Sequence, residues 1–269
     1  MNTTAPPDPS GRIPSSFPTL DLGPALALSA AMSFQGARPY NEDRLGHAAT
    51  VDGACWALAD GLGGHKGGAR AAELAVQGAL QSVGRSSASR LEDRLKQAAS
   101  DAHAGIRAEQ RIHTEFTDMR STLVLLGLSH TDMAWSHCGD SRLYHFRTGR
   151  MLTRTRDHSA VQMLVAAGEV AEEDIPRHPG RSRLVSCLGG SNSLLISARS
   201  GGSAPLAGDA FLLCSDGLWE HLDTAGLEAL VAAAAGPEAL LTALNARIIA
   251  AAHPEQDNYT AIAVFITAV

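Results

Sequence analysis

Apolar positions along the chain fall in short blocks separated by polar or glycine-rich turns, and the period of each block assigns it to an element. Ala25–Phe34 and Ala54–Ala59 are largely apolar runs of strand length, and Asp60–Gly68 after them is a glycine-rich turn. In Ala69–Val83 the residues Ala72, Leu74, Ala75, Ala79 and Leu80 supply an apolar face at helical spacing. A second helix is predicted over Ala88–Ile112, after the break at Ser86-Ser87. A strand-rich block follows at Ser121–Leu128, Met133–Cys138, Arg142–Arg147 and Met151–Thr153, the last two joined as a hairpin through Thr148-Gly149. Ala160–Ala167 reads as a short helix closed by Gly168, and Glu169–Arg183, with Pro176, Pro179 and several basic residues, as irregular. Later strands are predicted at Leu194–Ala198, Ala210–Cys214 and Tyr259–Ile266, and helices at Ala225–Ala235 and Pro237–Ala252. Strands grouped between helices, without regular βαβ alternation, predict an α+β fold with antiparallel sheets.

The first 23 residues hold five of the twelve prolines and little periodic pattern, so residues 1–23 are expected to form a flexible tail. From residue 24 to residue 269 no linker-like stretch divides the chain, which predicts one domain. At 45% hydrophobic and 19% charged residues the composition is that of a globular protein. With aromatics at 4%, the core has to be built from Leu, Val, Ile and Ala. A formal charge of −6 argues against nucleic acid or an anionic membrane as partner. No apolar stretch reaches the ~20 residues of a spanning helix, and a secretory start is absent, so a cytoplasmic monomer is expected. The four cysteines lack CxxC spacing and the eleven histidines lack HExxH spacing, which predicts reduced, buried thiols and no zinc site.

Acidic residues change the picture. They stand in Asn41-Glu42-Asp43, Ala59-Asp60-Gly61, Gly139-Asp140-Ser141-Arg142, Ser215-Asp216-Gly217 and Asp257-Asn258, several of them at the ends of apolar runs. A carboxylate at the end of a buried strand is costly unless paired or bound to metal. Its repetition points to one shared partner, and an oxygen-only donor set fits a hard divalent cation, Mg²⁺ or Mn²⁺. In Asp60-Gly61-Leu62-Gly63-Gly64-His65-Lys66-Gly67-Gly68 the glycines allow a close backbone approach. A Gly61 carbonyl beside the Asp60 carboxylate would serve a metal; a phosphate-cradling nest at a helix N-terminus is the other reading. Neither a Walker loop nor a GxGxxG fingerprint is present. Arg38, four residues before Glu42, is suited to bidentate capture of a phosphate, with a surface salt bridge as the alternative.

Taken in order, Arg38-x-x-Asn41-Glu42-Asp43, Asp60-Gly61-Leu62-Gly63-Gly64-His65, Ser121-Thr122-Leu123-Val124, Gly139-Asp140-Ser141-Arg142, Ser215-Asp216-Gly217-Leu218-Trp219 and Asp257-Asn258-x-Thr260 resemble the bacterial form of the type 2C metal-dependent protein serine/threonine phosphatases. Asp157-His158-Ser159 and the stretch from His178-Pro179 to Leu188-Gly189 match as well, so the resemblance covers Ser29 to Phe265. It implies an αββα sandwich of two antiparallel β-sheets flanked by helices, with a flap over about residues 157–190. It also implies hydrolysis of phosphoserine and phosphothreonine by a metal-activated water, with two or three Mn²⁺ or Mg²⁺ ions, opposing a bacterial Ser/Thr kinase. The implied partners are phosphoproteins, including such a kinase or its substrates.

Carried over residue by residue, Asp60 would bridge two metals and the Gly61 carbonyl would bind one of them. Asp216 and Asp257 would complete the second, and Glu42 and Asp43 would act through bound water. Asp140, with Asp216, would hold a third ion, and Arg38 would bind the substrate phosphate. Arg38 and Asp60 are thus the expected catalytic residues. Two departures stand out: Leu62 replaces a histidine that many eukaryotic members use as a candidate acid, and Arg120 replaces the usual glycine before Ser121-Thr122. His65 is then a weak candidate acid. Arg142 is expected to orient Asp140, Trp219 to anchor core, and Arg177, His178, Arg181 and Arg183 either to guide phosphopeptides or to form a solvated loop. A phosphatase of small phosphoesters, or of anti-sigma antagonist proteins, and a non-catalytic pseudophosphatase binding module are the competing functional classes.

Overall fold

Strict alternation of side chains in the central strands builds three apolar layers, as the computed structural model of the chain shows. It describes residues 16–62, 66–86, 88, 90–191 and 193–269; His65 lies outside them. In chain order the elements are β1 (Leu20–Asp21), β2 (Ala25–Phe34), β3 (Arg44–Ala49), β4 (Gly53–Ala59), β5 (Gly61–Leu62), α1 (Lys66–Arg85), α2 (Leu91–Ile112), β6 (Arg120–Ser121), β7 (Leu123–Ser129), β8 (Met133–Cys138), β9 (Arg142–Arg147) and β10 (Arg150–Arg154). Then come α3 (Ala160–Ala166), β11 (Ser197–Ser200), β12 (Asp209–Cys214), α4 (Asp216–Trp219), α5 (Thr224–Ala233), α6 (Pro237–Ala251) and β13 (Tyr259–Ala268). One antiparallel sheet runs β1-β2-β13-β12-β9-β10 and the other β11-β8-β7-β4-β3. This is the expected αββα sandwich.

Trp56 and Leu58 of β4 meet Phe211 and Leu213 of β12 between the sheets. The alternate residues Cys55, Ala57 and Ala59 face α1 and α2, where Ala72, Ala75, Ala79, Ala98 and Ala102 line the contact. On the far side Leu212 and Cys214 pack under Leu240, Leu241 and Leu244 of α6. Alanine at these positions lets the helices lie close to the sheet, which is how a chain poor in aromatics still fills its core.

Three local expectations are corrected. Residues 16–22 do not trail as a tail: Leu20–Asp21 pairs with β2, and Phe17 and Leu22 are buried, because burying these two side chains offsets the cost of ordering the segment. β3 was not foreseen, since Arg44-Leu45-Gly46-His47-Ala48-Ala49 is half-buried and shows no apolar run; it pairs with β4 along its full length. The strand expected at Leu194–Ala198 runs at Ser197–Ser200 instead, a polar edge strand on β8.

A buried ion pair ties the flap to the sheet. Arg142 of β9 donates from Nε and Nη2 to both oxygens of Asp157, at 2.9 and 2.7 Å, with both side chains almost wholly enclosed. The guanidinium lies 3.5 Å from the Trp219 ring centroid. Arg142 therefore orients Asp157, not Asp140 as expected; Asp140 is held by its main chain, whose carbonyl accepts from the Trp219 indole N–H at 3.0 Å. Trp219 itself is buried core, as expected. Removing one partner of such a pair leaves an uncompensated buried charge. Asp157→Ala is expected to lower the unfolding free energy measured in urea by about 3–5 kcal/mol, and Arg142→Met with Asp157→Leu to lose clearly less.

Candidate active site

Five chain segments end at one edge of the sandwich, and each brings an acidic side chain there. Asp60 follows β4, Asp140 precedes β9, Asp216 opens α4 after β12, Asp257 precedes β13, and Glu42-Asp43 closes the loop between β2 and β3. The loop 35–43 is laced to the start of β13 by Asn258. Its amide donates to the carbonyls of Gln35 and Tyr40 at 2.7 and 2.9 Å, and its side-chain oxygen accepts the Glu42 N–H at 2.9 Å. Gly36 makes the approach possible: its φ is +62°, and a side chain there would run into the Asp257 carbonyl. A second close approach joins Gly61 to Gly68, where a Cβ on Gly61 would overlap the Gly68 carbonyl and one on Gly68 the Glu42 carboxylate. The glycines of the Asp60–Gly68 turn thus bring the start of α1 against Glu42.

Hydroxyl groups hold the main chain beneath the acids. The Asp60 N–H donates to Thr122 Oγ1 at 2.9 Å, and the Ser121 hydroxyl donates to the Asp60 carbonyl at 2.9 Å. Thr122 Oγ1 is also 2.7 Å from Ser141 Oγ, next to Asp140. Ser215 donates to Asp43 Oδ2 at 2.7 Å and accepts from Thr260 N–H at 3.0 Å. Asn258, Thr122 and Ser215 were part of the matched segments but were given no role; only their contacts across the fold reveal one. Arg38 lies beside this cluster, its Nη2 2.7 Å from Asp257 Oδ2, with more than half of its side chain exposed. Arg120 is exposed opposite Leu62 in the small ribbon of β5 and β6, and its side chain makes no hydrogen bond or ion pair among the described residues.

The electrostatics are those of crowded anions. Burial, and then the charges of Asp43, Asp216, Asp140 and Asp257, hold the Asp60 carboxyl well above the usual carboxylate range. Asp216 is raised in the same way by burial and by Asp140, Glu220, Asp257 and Asp43. Burial pushes Asp43 up to about 6 despite the Ser215 hydrogen bond, and Asp140 up to about 7 despite the nearby Arg142 charge. Asp43 Oδ1 is buried with no hydrogen-bond partner among the described residues. Among those residues, no three acidic, histidine or cysteine side chains converge on one point. A cluster of hard oxygen donors with this much uncompensated charge fits divalent cations by its chemistry.

Above the acids stands the flap. It leaves the sheet at Asp157-His158, passes through α3 and a turn of 3-10 helix at Glu172–Arg177, and returns along Ser159–Leu184 and Ser121–Leu188 bridges. Arg181 donates from Nε and Nη2 to the two oxygens of Glu220, at 2.6 and 3.1 Å, just past Asp216. Arg177 and Arg183 are exposed.

Residues 36–236 match the family model described as protein phosphatase 2C. The serine/threonine protein phosphatase PstP of Mycobacterium tuberculosis (strain CDC 1551 / Oshkosh) is 32% identical over 204 residues, 75% of this chain but only 38% of that relative. The chain therefore spans well under half of that relative's length. The crystal structure of the Mycobacterium tuberculosis phosphatase PstP/Ppp superposes with a TM-score of 0.72 at 30% identity, covering 92% of this chain and 98% of the other. The PstP catalytic domain in complex with two manganese ions superposes with a TM-score of 0.71 at 28% identity, covering 94% and 100%. With the sandwich, the acidic edge and a match over three quarters of its length, the chain belongs to the protein phosphatase 2C family.

Proposed function

We propose that the chain is a metal-dependent protein phosphatase that hydrolyses phosphoserine and phosphothreonine, acting on phosphoproteins that include a Ser/Thr kinase or its substrates. The observation that carries this reading is the assembly of acids from five segments, with Arg38 beside them, at a cost in burial and repulsion that a folded protein tolerates only where cations offset it. Asp60, the Gly61 carbonyl, Asp216 and Asp257 would hold two Mn²⁺ or Mg²⁺ ions, Asp140 with Asp216 a third, and Glu42 and Asp43 would act through water. Bound as a pair, such ions acidify a water molecule and offset charge on the phosphoryl oxygens.

The chain's own residues then divide the work. Among the described residues Arg38 donates to Asp257 through Nη2, which leaves its other guanidinium donors to take a phosphoryl oxygen in a fixed fork. Thr122, Ser215 and Asn258 fix the backbone so that the acids do not relax apart. The Arg181–Glu220 pair positions the flap beside the acidic edge, where a peptide flanking the phosphorylated residue would lie. Leu62 supplies no proton to the leaving alkoxide, so that role falls to solvent or to another group. Among the described residues no helix is long and apolar enough to cross a membrane.

Two measurements test this. Mn²⁺-dependent release of phosphate from a phosphothreonine peptide is expected, with Asp60→Asn lower by roughly a thousandfold, the equivalent of about 4 kcal/mol of lost charge stabilisation. Turnover of p-nitrophenyl phosphate without turnover of the peptide would instead assign the site to small phosphoesters. Metal and pH are also linked. Carboxyls raised in the folded state cost stability as pH rises from the unfolded carboxylate range, near 4, through their folded values, about 6 for Asp43 and about 7 for Asp140. The gain in melting temperature on replacing EDTA with MnCl₂ is therefore expected to grow between about pH 5 and pH 8; a gain that stays flat would count against the cation's place among these acids.

A further inference from the structure

A cavity among the described residues lies away from the acidic edge, at the mouth of the intersheet space between the free edges β10 and β11. It encloses about 330 Å³, within the range of small-molecule sites. Trp135 and His137 are alternate residues of β8 and form its floor, with Arg199 and Ser197 directly across from them on β11. Arg156, Asp157, His158 and Leu195 are also in the wall, and neither Arg38 nor any acid of the candidate active site lines it.

The charges around this cavity are unequal in a way that points to a ligand. Arg154 also reaches it, but is neutralised by Glu172 and lies 3.6 Å from Asp157. Asp157 in turn is taken up by Arg142. Arg156 is exposed and makes no side-chain hydrogen bond or ion pair among the described residues. Arg199 pairs with no carboxylate among them; it lies 5.7 Å from the Trp135 ring centroid and donates to the Thr153 hydroxyl at 3.3 Å. Two guanidinium groups thus line one cavity without a carboxylate partner among the described residues, since the acid that also lines it, Asp157, is paired with Arg142.

The histidines add polarity but no charge. His137 Nε2 is 2.8 Å from the Arg156 carbonyl and must donate to it, which leaves Nδ1 as a bare acceptor, buried and without a partner among the described residues. His158 Nδ1 accepts the Gly139 N–H at 3.3 Å, so its proton sits on Nε2, 2.9 Å from Ser197 Oγ. The two rings stack at 4.5 Å, and burial holds both imidazoles below their ordinary range. Leu195 is about half exposed and gives the cavity an apolar lining residue beside Trp135.

We propose that this cavity binds a small organic anion, with its oxyanion group (phosphate, sulfonate or carboxylate) between Arg156 and Arg199 and its apolar or aromatic body against Trp135 and Leu195. Planar guanidinium groups recognise such oxyanions through paired hydrogen bonds. The volume exceeds what an inorganic ion alone would fill. Benzenesulfonate, which combines the two features and is no phosphatase substrate, is the probe. Titrated into the Mg²⁺-loaded full chain, it is expected to shift the Trp135 indole N–H resonance saturably. Arg156→Ala and Arg199→Ala are each expected to weaken binding about tenfold, the loss of one charge-assisted contact. Both side chains are exposed, so the variants are expected to keep the wild-type melting temperature. Arg38→Ala is expected to leave the affinity within about twofold. An unsaturable or absent Trp135 shift in the parent chain overturns the proposal. So does binding that survives both cavity variants or is lost in Arg38→Ala, because the anion would then be at the active site.

Discussion

Repulsion among buried carboxylates is the constraint on which the rest of this structure depends. Asp43, Asp60, Asp140 and Asp216 are each raised above the ordinary carboxylate range, with burial as the first cause and one another's charges among the rest. Left to itself such a cluster would spread apart. It is held by main-chain and hydroxyl contacts that converge from β2, β4, β7, β12 and β13: Asn258 to the loop 35–43, Thr122 and Ser121 to Asp60, Ser215 to Asp43. The two-sheet sandwich is the frame that lets five distant segments meet at one edge, and its alanine-lined helix contacts keep that frame tight.

The same logic explains why the flap is anchored where it is. Its first residues, Asp157 and His158, are fixed to the sheet through Arg142 and through Gly139, the neighbour of Asp140. Its far limb is fixed through Arg181 to Glu220, one turn beyond Asp216. Both anchors lie within a residue or a helical turn of an acidic residue of the site. The flap, the acidic edge and the arginine-lined cavity beside His158 are thus connected by short chains of hydrogen bonds.

Much of this was legible in the order of residues. The apolar runs marked β2, β4, β8, β9 and β12 closely, because strands buried on both faces leave an unmistakable signature. The acids were legible because they stand at the ends of those runs, where a charge has no structural reason to be. What escaped were elements whose order comes from elsewhere. β3 carries no apolar run and is held by β4 and by α1, whose Val76 and Leu80 sit against Gly46. β1 and residues 16–22 looked like tail because Phe17 and Leu22 are isolated in a proline-rich stretch. The Gly139-Asp140-Ser141-Arg142 motif points Arg142 to Asp140, whereas the buried partner that satisfies its fork is Asp157, fifteen residues away. The Arg181–Glu220 pair, 39 residues apart, leaves no mark in the sequence at all.

The central claim is that the acids at the sandwich edge are one site built for cations. Calorimetric titration of the full chain with Mn²⁺ tests it most directly. At least two ions per chain are predicted to bind, with Asp216→Asn losing at least one of them and Asp60→Asn weakening both. Absence of binding to the parent chain, or a stoichiometry and affinity that neither substitution alters, would contradict the account.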